Sequence, residues 1–151
     1  MTPRRGNEPV RPTAPGERPL GGVPAQRIPQ PWGEEIRICD NDRYALRIFE
    51  IRKGARVSRH YHTRKIETLY VDAGSARYWI ERPGEEPAEL ILRAGDVIEH
   101  HPFEIHRQEA LEDLRLIEVC TPPMDDIVRI EDDYGRADGV RPGVERPGGA
   151  T

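Results

Sequence analysis

Between residues 34 and 121 the chain alternates short runs of aliphatic and β-branched residues with turn signals, and that rhythm restricts the fold more than any other feature. Strands are expected at 34–39, 44–51, 56–62, 67–72, 76–81, 88–92, 96–99, 105–110 and 114–121. The breaks between them carry residues that turns require, among them Asp40-Asn41-Asp42, Gly54, Ala73-Gly74, Arg82-Pro83-Gly84 and Ala94-Gly95. Runs this short and this evenly spaced build a sandwich or barrel rather than βαβ units. A helical turn is expected only around 124–130. No internal repeat is present, so the expectation is one all-β barrel in a single domain.

The two ends of the chain have a different character. Residues 1–31 contain Pro3, Pro9, Pro12, Pro15, Pro19, Pro24, Pro29 and Pro31. Proline at that density removes backbone donors and works against a ladder or helix, so 1–31 reads as a flexible arm. The tail 137–151, rich in Gly and Pro, reads the same way, leaving 32–136 as the domain. This uneven distribution explains a hydrophobic content of only 36% alongside 15 prolines and 14 glycines. A core drawn from about a hundred residues is small, and barrels bury sheet edges by pairing; a homodimer is therefore expected.

A net charge of −4 gives no reason to expect nucleic acid as a partner. No apolar run follows Arg4-Arg5 and no segment has the length and hydropathy of a membrane span, so a cytoplasmic protein without a membrane partner is expected. Cys39 and Cys120 lack CxxC spacing and read as unpaired residues in or beside strands.

Gly54-x5-His60-x-His62-x4-Glu67-x6-Gly74 carries the chemistry. Two histidines one residue apart on a strand point to the same face, because side-chain direction has a period of two. After a short bend, Glu67 opens the neighbouring strand and can face inward beside them. His106, in a later strand, is placed to add a fourth donor. Imidazoles and a carboxylate converging from one side form a site for one divalent ion, with Zn, Mn, Fe, Ni and Co all compatible.

The spacing resembles the first motif of the cupin superfamily, which implies a double-stranded β-helix, or jelly-roll, barrel. The second cupin motif is partly present as Gly95-Asp96, Pro102 and His106. It departs from the pattern at three places. The proline is displaced by one position with His101 in its usual place, Phe103 replaces a glycine, and Ala110 stands where asparagine is common.

From Trp32-Gly33 to Asp125-Asp126-Ile127-Val128-Arg129-Ile130-Glu131-Asp132-Asp133-Tyr134-Gly135-Arg136 the chain also resembles the isomerase domain of type II phosphomannose isomerases. His60 stands where that family typically has glutamine. The resemblance implies a metal-dependent isomerase or epimerase acting on a sugar or sugar phosphate, a small-molecule partner. A metal-dependent (Fe) dioxygenase on a small organic substrate and a non-catalytic small-molecule binder are the alternatives. An isomerase needs a base for a carbon-bound proton, and Lys65 and His101 are the candidates. Arg59, Arg64 and Arg107 flank ligand positions and are candidates for an anionic substrate group. Tyr78 and Trp79 project from opposite faces of one strand; Tyr78 is the candidate to line the barrel.

Overall fold

The computed structural model describes residues 21–138, and within them every regular element is a β-strand. The strands are β1 (Gln26–Gln30), β2 (Gly33–Asp40), β3 (Ala45–Ile51), β4 (Arg59–Tyr61), β5 (Glu67–Ala73) and β6 (Ser75–Glu81). They continue as β7 (Ala88–Arg93), β8 (Val97–His100), β9 (Ile105–Ala110), β10 (Leu114–Cys120) and β11 (Val128–Glu131). Every pairing is antiparallel. One sheet has six strands in the order β1-β2-β3-β10-β5-β8, and the other has five in the order β11-β4-β9-β6-β7. Sequence neighbours such as β4 and β5, or β8 and β9, lie in opposite sheets. This alternation winds the chain into a double-stranded β-helix, the form of barrel that the resemblance to the cupin motif implies.

The interior divides into two zones. Trp32, Ile51, Val57, Val71, Ala76, Ala110, Leu114 and Leu116 form one apolar cluster at one end. Further along the same strands the inward positions become charged or imidazole-bearing: Glu35 on β2, Arg47 on β3, Glu67 on β5, His106 on β9 and Glu118 on β10. The apolar end supplies the hydrophobic burial that holds the barrel closed, and the polar end becomes a site.

Two strands fall outside the expected set. β1 lies within the proline-rich arm, and its ladder with β2 includes Pro29 opposite Glu34. The sheet accepts this proline because β1 is an edge strand, with one side free of ladder partners. The helical turn expected at 124–130 is not formed; residues 124–125 turn and β11 pairs with β4 at the edge of the smaller sheet. Residues 1–20 of the arm and 139–151 of the tail lie outside the described residues. Cys39 and Cys120 are both free. No helix among the described residues is long and apolar enough to cross a membrane.

The two glycines bracketing the histidine motif have different reasons for being there. Both adopt a φ of 83°, in the left-handed region. A Cβ at Gly54 would meet open space, whereas one at Gly74 would be driven into the Asp113 backbone carbonyl. Gly54→Ala is therefore expected to cost about 1–2 kcal/mol, the conformational term alone. Gly74→Ala should cost more, because backbone must also move. Denaturant titration of both variants checks this, and equal costs would contradict the packing argument.

Candidate metal centre

His60 and His62 lie on and just beyond β4, His106 lies on β9, and Glu67 opens β5. The register places His60 directly opposite His106, and Glu67 opposite His100 on β8. One ligand atom from each of His60, His62, Glu67 and His106 lies within 4.8 Å of the others, and all four residues are buried.

Each imidazole is oriented from behind. His60 Nδ1 donates to the Ser58 carbonyl at 2.9 Å, His62 Nδ1 to the Asp126 carbonyl at 2.5 Å, and His106 Nδ1 to the Glu104 carbonyl at 3.0 Å. A neutral imidazole donating from Nδ1 carries its lone pair on Nε2. Three lone pairs are thus directed at one point together with a carboxylate. Glu67 Oε1 sits 3.1 Å from His62 Nε2 and 2.9 Å from His106 Nε2. The His106 nitrogen is buried and has no hydrogen-bond partner of suitable geometry among the described residues. Acceptors facing acceptors at this range are stable around a cation, so the donor set fits a divalent ion.

Protonation states agree with that fit. Burial, reinforced by His106 and His62, pushes His60 well below its usual range and keeps it neutral. Burial opposes ionisation of Glu67, but the adjoining His106 and His62 and the charge of Lys65 outweigh it and hold the carboxyl well below its ordinary value.

The bend between β4 and β5 is fixed by Asp126, whose carboxylate accepts from the amides of Thr63, Arg64 and Lys65 and from the Thr63 hydroxyl. Burial works against its charge, yet those bonds bring its pKa to about 2. The same residue's carbonyl orients His62, so one residue beyond β10 sets both the bend and a donor.

The donor cluster lines a cavity of about 90 Å³, walled also by Glu35, Arg47, Phe49 and Glu118. Lys65 is wholly buried behind this wall, with Nζ 3.2 Å from Glu67 Oε2 and 3.5 Å from Glu118 Oε1. His101 is more than half exposed and pairs with Glu99 at 2.5 Å, away from the cavity wall. Arg59 pairs with Glu81 and Glu131. Arg107 donates to the Val57 carbonyl and pairs with Asp133. Arg64 is exposed on the bend. None of these three arginines lines the cavity; Arg47, Arg129 and Arg136 do. Tyr78 faces inward but is screened from the cavity, bonding through its hydroxyl to His100 Nε2.

His100 is a residue the sequence did not single out. It stacks on His106 with ring centroids 3.8 Å apart and planes 5° from parallel. Burial drives its pKa down to about 2, so a neutral ring backs the ligand. Had the strand expected at 96–99 been extended by one residue, alternation would have turned His100 to the same side as Ile98.

Neither a family model nor a curated protein matches the chain. Solved structures do. Oxalate decarboxylase from Bacillus subtilis aligns with a TM-score of 0.64 at 17% identity, over 73% of this chain and 33% of that one. The capsular polysaccharide assembling protein CapF from Staphylococcus aureus aligns with a TM-score of 0.60 at 18% identity, over 73% and 33%. The chain shares the double-stranded β-helix fold of these structures. KdgF from Halomonas sp. gives a TM-score of 0.58 at 24% identity, over 69% of this chain and 90% of that one. The chain thus spans about a third of the first two proteins and nearly all of the third. At such identities the likeness establishes the barrel, while the metal reading rests on the donors of this chain.

The lowered pKa values of His60 and His100 give a signed pH dependence. Below about 6.5 an unfolded chain protonates both residues, whereas the native protein leaves His100 neutral down to about 2 and resists protonating His60. Stability of the metal-stripped protein should therefore fall as pH drops through that window. Thermal melts at about pH 7.5 and 5.5 check it; a melting temperature that holds or rises on acidification contradicts the buried neutral pair.

Proposed function

We propose that this cupin is a metal-dependent isomerase or epimerase acting on a sugar or sugar phosphate. The observation that carries the reading is a small cavity whose wall combines the His60, His62, Glu67 and His106 donors with two further carboxylates, Glu35 and Glu118. Supporting it are the resemblance of residues 31–136 to type II phosphomannose isomerase domains and the shared barrel of CapF, a protein described by its part in assembling capsular polysaccharide.

A divalent ion bound by the four donors supplies Lewis acidity to a carbonyl or hydroxyl oxygen of the substrate. The remaining tasks belong to the protein. The cavity, of about 90 Å³, sets a small polar group of a substrate against the donor cluster. Glu118 lines the cavity and moves the proton between adjacent carbons; Arg47, 2.8 Å from its Oε1, fixes its orientation. Lys65 acts through Glu67 and Glu118, which it holds in place, rather than on the substrate itself.

Incubation of the zinc- or manganese-loaded protein with mannose 6-phosphate or fructose 6-phosphate in D₂O tests the reading. Deuterium is expected at C1 or C2 by NMR, and Glu118→Gln should slow its entry by about a hundredfold or more while metal content is retained. Absence of exchange, together with substrate-dependent oxygen uptake by the iron-loaded protein, would replace the isomerase with an oxygenase.

A further inference from the structure

Arg129 on β11 lies directly opposite His60 on β4. Directly opposed residues on paired strands project to the same face. His60 projects into the barrel, and Arg129 accordingly lines the same cavity as the metal-ligand cluster.

What distinguishes Arg129 from the other two cavity arginines is that no carboxylate lies within ion-pairing distance of it among the described residues. Arg47 pairs with Glu35 at 3.1 Å and with Glu118 at 2.8 Å. Arg136, also on the cavity wall, is clamped by Asp132 at 2.9 Å. Arg129 forms no ion pair among the described residues, and its Nε is buried with no hydrogen-bond partner. Burial and the like charge of Arg136 both disfavour its ionised form, and the more distant Asp132 and Asp138 offset this only in part. The Asp138 carboxylate is committed to the backbone amide of Arg129 instead. A half-buried guanidinium without an ion-pair partner in place is suited to receive an anion from the cavity.

The charge balance of the cavity agrees. Its lining holds three cations, Arg47, Arg129 and Arg136, and three carboxylates, Glu35, Glu67 and Glu118. A divalent ion at the donor cluster leaves the wall with two surplus positive charges.

We propose that Arg129, with Arg136 beside it, forms an oxyanion-binding subsite on the cavity wall that takes the carboxylate or phosphate of the substrate. This rests on the reading above, in which the other end of the substrate reacts at the metal-ligand cluster. Its planar fork suits either oxyanion, which it can grip through two nitrogens at once.

Calorimetric titration of the zinc-loaded full chain with inorganic phosphate, and separately with acetate, tests the subsite. Arg129→Gln should weaken binding of the preferred anion by about tenfold or more, with zinc content unchanged. Arg129→Lys should restore part of the loss, and Arg43→Gln, at a surface position far from the wall, should have no effect. A preference for phosphate would assign the subsite to phosphorylated substrates, and a preference for acetate to sugar acids. The proposal is overturned if neither anion binds the wild-type protein, or if Arg129→Gln binds as tightly as wild type while retaining zinc. The readout is binding, so a protein that passes this test but exchanges no deuterium counts against the isomerase reading alone.

Discussion

A carboxylate buried at the centre of the barrel, that of Glu67, sets the terms for the rest of the structure. An ionised group taken out of water must be compensated within the protein. One oxygen faces His62 and His106, and the other faces Lys65, which is itself buried. Lys65 in turn requires Glu118, which requires Arg47, which is shared with Glu35 and, beyond it, Arg37. Alternating charges therefore run across the inner face of the larger sheet from the donor cluster toward the surface. Removing one member of such a chain leaves its neighbour uncompensated, at a cost of about 3–5 kcal/mol. This ladder explains why so small a barrel gives a large share of its interior to polar groups: the apolar end provides burial, and the charged end fixes donor geometry.

The segments that lead into strands of the smaller sheet contribute orientation. Backbone carbonyls of Ser58, Glu104 and Asp126 each accept from one histidine Nδ1, so the direction of every lone pair is set by main chain rather than by mobile side chains. Phe103 shows the constraint at work. It holds a φ of 69°, a conformation glycine adopts without strain, and its amide donates to the His62 carbonyl at 2.8 Å. The loop before His106 thus keeps a glycine-like backbone despite the phenylalanine, with strain tolerated beside the site.

The barrel and the four donors were legible in the sequence for a shared reason. Both depend on the period-two alternation of strands and on turn residues, which are local properties. His60, His62 and Glu67 could be placed on one face by counting, and His106 by the resemblance to the second cupin motif. What escaped depends on register between distant segments. β1 pairs only at an edge, where Pro29 is tolerated, and β11 takes its strand form from pairing with β4. The surroundings of Lys65 and Arg129 follow from the same cause: Asp126 ties down the bend that carries Lys65, and the register sets Arg129 opposite His60. Arg59 and Arg107 show the converse. Adjacency to a histidine in the chain put them on the opposite face, where they pair with Glu81, Glu131 and Asp133.

X-ray absorption at the zinc edge of the metal-loaded full chain tests the central claim most directly. The account predicts one ion per chain with only nitrogen and oxygen donors, the multiple-scattering pattern of three imidazoles, and Zn–N distances of about 2.0–2.1 Å. A shell lacking imidazole scattering, or one containing sulfur at about 2.3 Å, would contradict it.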